Sequence, residues 1–202
     1  MSKLPKSWND VSLKQLIEIE AIRNDKSLDS EPYPDITRAL LILSVFTGKP
    51  FEQYEQMPLD SLKNDISKLS FMTNLPDAGL VKFFYHKGYV WRVNFDLQKL
   101  TAQQFINHYE ISKDHFKILE NANKLLAMYC VPSRFFVKSK MDDNKKSELL
   151  KDCSVGVIYP LVLFFCNLYP NLLEATKDYL NKANNQLKET MEKVENLNQQ
   201  AT

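Results

Sequence analysis

The chain opens with apolar positions at the spacing of a helix that buries one side. Ser12 precedes this stripe and Gln15 follows three residues later, a capping-box pattern in which hydroxyl and amide each satisfy a free backbone group. Thr101 and Gln104 repeat the pattern, with an apolar residue before the cap and two after the Gln. Two interpretations stay open: an internal repeat, or two independent helix starts.

Further helices are predicted along most of the chain. One runs from about Ile36 to Phe46 and ends at Gly48 and Pro50, in the order expected of a helix C-terminus. The remaining helical patterns cover Phe51 to Gln56, a segment starting at Pro58, His115 to Val131, Asp142 to Asp152, and Val155 to Leu168. The polar, proline-containing stretch from Asn24 to Pro34 is predicted to be a loop.

The middle of the chain changes to a strand pattern. Val81 to His86 and Tyr89 to Phe95 are rich in β-branched and aromatic residues, and Lys87-Gly88 between them is typical of a hairpin turn. A lone hairpin is marginally stable, so it is expected to pack against a helix. Its aromatic residues either cover the helices or form a recognition surface, and we favour an outward patch. The candidate binding residues of the hairpin are Phe84, Tyr85, Tyr89 and Trp91.

The segment after Pro170 carries a seven-residue apolar repeat. Leu173, Leu180, Leu187 and Val194 follow this spacing, which predicts a helix with one narrow apolar seam. Leu180, Leu187 and Val194 are therefore further candidate protein-binding residues. The predicted fold is mainly α: a helical domain over residues 1–169 with one packed β-hairpin near 81–95, and an extended amphipathic helix over 170–202 with a frayed end.

Charge and composition argue against several classes of function. The formal net charge is +1, so no global field attracts a polyanion, and we expect no nucleic-acid partner. The most basic stretch, Arg134 to Lys151, is interrupted by acidic residues and is interpreted as a solvated surface. Ser154 to Leu173 is uncharged, but prolines and asparagines divide it, which favours a core helix over a membrane span. The N-terminus lacks the apolar stretch of a signal peptide.

Catalytic and metal-binding patterns are not recognisable in the sequence. Cys130, Cys153 and Cys166 are widely spaced, form no CxxC pair, and are interpreted as buried free thiols of a reducing compartment. The sequence shows no nucleophile elbow, phosphate-binding loop, dinucleotide-binding glycine motif, zinc-protease helix or calcium-binding loop. We therefore expect no metal, no cofactor and no enzymatic activity, with an unrecognised catalytic site as the alternative.

The N-terminal segment Leu4-Pro5-Lys6-Ser7-Trp8-Asn9-Asp10-Val11-Ser12-Leu13-Lys14-Gln15-Leu16 and the later Leu100 to Ile106 resemble a known pattern, in which a Trp precedes a hydroxyl-capped helix that carries a Gln. Together with the central aromatic strand pair, they are similar to tail assembly chaperone-like proteins of tailed bacteriophages, crAss-like phages among them. The resemblance covers about Leu4 to Leu168. It implies a factor in tail or virion assembly that binds phage tail or collar proteins reversibly in the host cytoplasm, with homo-oligomer formation as a further expectation. The alternative within the same biology is a structural virion protein of the collar, ring or tail.

Overall fold

A computed structural model describes residues 4–76, 79–96, 100–113, 118–134 and 137–167 of the chain. Helices dominate the described residues and a small antiparallel sheet accompanies them, which confirms the predicted mainly-α class with a hairpin. The helices are α1 Leu13–Asn24, α2 Pro34–Thr47, α3 Phe51–Glu55, α4 Leu59–Ser67, α5 Ala102–Ser112, α6 Ala122–Tyr129, α7 Asp143–Leu150 and α8 over 155–167. The strands are β1 Phe83–His86, β2 Tyr89–Val93, β3 Cys130–Arg134 and β4 Val137–Lys138.

Both predicted capping boxes are present. The Gln15 backbone amide donates to Ser12 Oγ at 3.2 Å, and the Ser12 backbone amide donates to Gln15 Oε1 at 3.0 Å. The same exchange joins Thr101 and Gln104 at 3.2 and 3.1 Å. Each box satisfies two backbone donors at the start of α1 and α5, which explains why both helices begin where the sequence predicts.

The start of α1 is joined to the segment between α7 and α8. The backbone amides of Leu13 and Lys14 donate to the carbonyls of Cys153 and Lys151 at 2.9 and 2.8 Å. In return, the Val155 amide donates to the Val11 carbonyl at 2.8 Å. Two free amides of the α1 N-terminus are thus satisfied by residues about 140 positions later in the chain. Backbone hydrogen bonds therefore join these two distant segments.

Helices α1 to α4 contribute most of the members of two apolar clusters among the described residues. Gly48 ends α2 with φ of +68°, a left-handed conformation that glycine adopts without strain. Pro50 and Pro58 are the N-cap residues of α3 and α4, and the helix start predicted at Pro58 is confirmed. One cluster contains Val11, Leu16, Ile19, Phe46 and Val155, and the other contains Leu40, Leu43, Tyr54 and Leu62.

The sheet is larger than the predicted hairpin. Its four strands lie in the order β1-β2-β3-β4, and all neighbours are antiparallel. The prediction of a helix from His115 to Val131 is wrong at its C-terminal end, because α6 ends at Tyr129 and Cys130–Arg134 pairs with β2 instead. The hairpin also contacts a helix as expected, since His86 Nε2 lies 2.9 Å from the carbonyl oxygen of Leu149 in α7.

The chain divides into two compact units, Met1–Leu163 and Phe164–Thr202. The predicted helix after Pro170 lies outside the described residues, and a domain boundary near 169 stays a prediction. The predicted core helix is α8, in which Val155, Ile158, Leu161 and Val162 are buried. Among the helices of the described ranges, none has the length and apolar character needed to cross a membrane.

Candidate functional site

The hairpin of β1 and β2 turns on the two residues that the sequence indicates. Lys87 and Gly88 both have positive φ, of +51° and +79°, as required in the two-residue hairpin turn whose central residues are both left-handed. The register pairs Phe84 with Trp91 and Tyr85 with Val90. Because neighbouring side chains along a strand point to opposite faces, this register divides the aromatic residues between an inner and an outer face.

The inner face of the hairpin belongs to the core. Phe84 is 8% exposed and Trp91 is fully buried, and their rings are parallel with centroids 6.0 Å apart. Trp91 Nε1 donates to the carbonyl of His86 at 3.1 Å, and the half-buried Tyr89 lies edge-on to Trp91 at 6.3 Å. Phe84 and Trp91 were expected to contribute to an outward binding patch. Their burial among core side chains corrects that expectation.

The outer face of the hairpin, which we define as Phe83, Tyr85, Val90 and Arg92, is exposed. Tyr85 is 74% exposed, Phe83 59% and Val90 45%, although all three side chains are large and apolar. Arg92 lies directly across from Phe83 in the register and is also exposed. Of the sequence-predicted residues, Tyr85 alone is well exposed here. Phe83 and Val90 were missed, although the alternation that places Tyr85 outward also places them outward.

The remaining sequence-predicted binding residues, Leu180, Leu187 and Val194, lie outside the described residues. The apolar seam of the predicted C-terminal helix therefore stays a prediction. No family model, no curated protein and no solved structure matches this chain.

A second apolar surface lies between α1 and the first turns of α8. It is a groove of about 360 Å³, and the Glu20–Arg23 ion pair of 2.9 Å lies on its rim. Trp8 lines the groove, and its indole Nε1 donates to the Asn74 carbonyl at 2.7 Å. The exposed Leu75 and Leu163 contribute apolar lining. A groove of this composition can accommodate apolar side chains of another molecule.

Polar side chains buried near α6 are engaged with one another. His108, only 1% exposed, forms a hydrogen bond through Nδ1 with the hydroxyl of Tyr129, and their rings meet edge to face. Asn123 Nδ2 donates to Ser147 Oγ at 2.7 Å. These bonds tie α6 to α5 and to α7, so the polar side chains hold helices together inside the fold.

The two buried cysteines have protonated, poorly nucleophilic thiols. Burial raises the pKa of Cys153 from 9.0 to about 12. Burial, reinforced by the nearby Cys153, raises the pKa of Cys130 further, although Lys146 opposes this shift. Thiolates are the reactive form of cysteine, so neither side chain is activated for nucleophilic attack. In the described part of the chain, no group of three or more His, Cys, Asp or Glu side chains lies close enough to share a metal ion.

Lys146 in α7 and Lys151 directly after it are each paired with a carboxylate three residues earlier. Lys146 lies 2.8 Å from Asp143, and Lys151 lies 2.7 Å from Glu148. Pairs at this spacing are ordinary on helices, but Lys146 is mostly buried and also donates to the Ala127 carbonyl at 3.2 Å. Large apolar side chains that lie exposed on adjacent strands make the outer face of the hairpin the best-formed candidate site among the described residues.

Proposed function

We propose that this chain acts by binding other proteins, without covalent chemistry. The observation that carries this proposal is the outer face of the hairpin, where Phe83, Tyr85 and Val90 lie on adjacent strands and are between 45% and 74% exposed. Aromatic residues are enriched among those that dominate binding energy at protein interfaces. Clustered exposed apolar residues are typical of interaction sites, whereas scattered ones are ordinary.

The biological setting that we propose is the assembly of a bacteriophage tail or virion in the host cytoplasm. The resemblance of Leu4–Leu16 and Leu100–Ile106 to tail assembly chaperone-like proteins supports this setting. In such a role, the outer face would shield an apolar surface of a tail or collar protein until that surface is buried in the particle. The groove beside α1 offers a second apolar contact of the same kind.

Co-purification with tail and collar proteins encoded near this chain tests the proposal. We expect capture by the wild-type chain, and at least about tenfold weaker capture when Phe83 and Tyr85 are both replaced by Ser, since about 1.4 kcal/mol of lost contact is tenfold in affinity. Tyr33→Ser is the matched control, because Tyr33 is 71% exposed but lies at the start of α2. Equal capture by all three proteins, or capture of nothing by the wild type, would contradict the proposal.

Purified particles distinguish an assembly factor from a structural virion component. An assembly factor should be absent from finished particles. A collar, ring or tail component should be present in a fixed multiple that matches the particle's symmetry. Quantitative mass spectrometry of particles, with a known capsid protein as the internal standard, measures this directly.

A further inference from the structure

β1 forms one edge of the sheet, and half of its backbone groups point away from β2. The Val93 amide donates to the Lys82 carbonyl at 2.9 Å, which makes these two residues a hydrogen-bonded pair. Bonded and non-bonded pairs alternate along an antiparallel ladder, so Phe83 and Tyr85 occupy non-bonded positions. Their N–H and C=O groups therefore point to the open edge, where the described part of the chain offers them no hydrogen-bonding partner.

The side chains of the same two residues are on the outer face. Phe83 and Tyr85 are 59% and 74% exposed, so the edge combines unsatisfied backbone groups with uncovered aromatic rings. An extended peptide that adds to a sheet edge gains affinity from main-chain hydrogen bonds and specificity from its alternate side chains. β1 offers both kinds of contact over its four residues.

The charge around this edge selects among the partners that could add a strand. Residues 79–95 contain Lys82, Lys87 and Arg92 but no Asp or Glu. Lys87 pairs with Asp152 at 2.8 Å, whereas neither Lys82 nor Arg92 forms a salt bridge with any described residue. The β1 of a second copy has no carboxylate to place beside Lys82, because residues 79–95 contain no Asp or Glu. A partner segment with carboxylates complements this charge.

We infer that the edge of β1 binds an extended, acidic segment of a partner protein as an added antiparallel strand. Apolar residues of that segment lie opposite Phe83 and Tyr85 on the outer face, and acidic residues alternate with them on the side of Lys82. The inference rests on the proposed function, because it names the chemistry of the partner at the same hairpin. The antiparallel direction continues that of the existing sheet and is slightly more stable for each residue pair.

Synthetic peptides test the inference on the full chain. The probe is a short, capped, fluorescent peptide in which Val and Glu alternate, and its binding is followed by fluorescence anisotropy. Replacing every Glu by Lys should weaken binding at least about tenfold, because the edge is basic. N-methylation of the Val amides should abolish binding, because residues opposite Phe83 and Tyr85 exchange backbone hydrogen bonds with them. N-methylation of the Glu amides, which face away from β1, should leave binding nearly unchanged.

Variants of the chain separate the backbone contact from the ring contact. Tyr85→Pro removes the edge N–H without removing a hydrogen bond to β2, and proline is tolerated on edge strands. It should abolish peptide binding, whereas Tyr85→Thr keeps the N–H and should weaken binding only several-fold. Tyr33→Thr is the control for loss of an exposed aromatic ring and should bind like the wild type. If Tyr85→Pro fails to fold, the two N-methylated peptides still decide the question on the wild-type chain.

Several results would overturn the inference. Equal effects of the two N-methylated sets, or stronger binding of the Lys peptide, would exclude an acidic added strand. Competition of the peptide by an oligothymidylate would assign the outer face to single-stranded nucleic acid instead. A dimer of the wild type that Tyr85→Pro dissociates would assign the edge to a second copy. If tail or collar proteins are captured equally by wild type and Tyr85→Pro, the edge inference fails while the proposed function stands.

Discussion

Replacing Trp91 with Ala tests which face of the hairpin belongs to the core. Trp91 is fully buried, stacks on Phe84, and donates a hydrogen bond to the His86 carbonyl. A side chain of this kind buries roughly 150–250 Å², which corresponds to about 4–6 kcal/mol at about 25 cal/mol per Å². Truncations of large aromatic residues to Ala cost about 3–5 kcal/mol. We therefore expect Trp91→Ala to lower the free energy of unfolding by about 4 kcal/mol.

The opposite face provides the matched comparison. Tyr85→Ala removes a large ring that is 74% exposed, and its main loss is the cross-strand contact with Val90, worth about 0.2–1 kcal/mol. Trp91→Phe keeps a ring beside Phe84 but loses the indole hydrogen bond, so we expect an intermediate loss of about 1–2 kcal/mol from that bond and from the smaller ring.

Urea unfolding followed by far-ultraviolet circular dichroism measures these differences without relying on fluorescence. The chain has only two tryptophans, so removing Trp91 would distort a fluorescence signal. Stability changes are compared where the dependence on denaturant is the same in all variants, because a changed slope indicates an altered unfolded or native state. If Tyr85→Ala destabilises the chain as much as Trp91→Ala, the assignment of inner and outer faces is wrong.

Three further predictions concern other parts of the chain. Ser12→Ala and Thr101→Ala should each lower the free energy of unfolding by about 1 kcal/mol, the usual loss with a helix cap; variants that melt like the wild type but lose partner binding would make these positions functional. Burial holds the pKa of Cys130 and Cys153 above 9.0, so the free energy of unfolding should fall as pH rises from 9.0 towards about 12. The fall should be at most about 1.4 kcal/mol for each pH unit and each thiol. Urea unfolding across that range measures it, with Cys153→Ala as the control for one thiol, and no such slope would mean that the thiols are already ionised. Truncation after Asn181 should leave a folded chain with weaker self-association by light scattering, and an insoluble product would show that the tail completes the core.

The elements that depend on neighbouring residues were predictable from the sequence. Capping boxes at Ser12 and Thr101, the αL glycine at Gly48 and the Lys87-Gly88 turn each depend on a few residues whose chemistry permits little else. Their positions in the structure agree with the predictions to within a few residues.

β3 and the inner face of the hairpin depend on residues far apart in the chain. The short apolar run Tyr129-Cys130-Val131 is compatible with either a helix end or a strand. Cys130 and Val131 adopt the strand conformation because they pair with β2, about 40 residues earlier in the chain. Alternation along β1 and β2 indicates which side chains share a face. It does not indicate which face is covered, and the contact of His86 with Leu149 in α7 decides that.

The hydrogen bonds between the start of α1 and residues 151–155 also determine how late in synthesis the fold can be completed. Ser154 follows Ser12 by 142 positions in the chain, and these two residues form an isolated antiparallel bridge. At about 5–20 residues per second, a ribosome needs roughly 7–28 s to make that length of chain. Val11 and Leu16 stay uncovered by Val155 for the whole of this interval, although all three belong to one core cluster. The N-terminal apolar stripe is therefore the part of the nascent chain with the longest exposure to chaperones and to neighbouring chains.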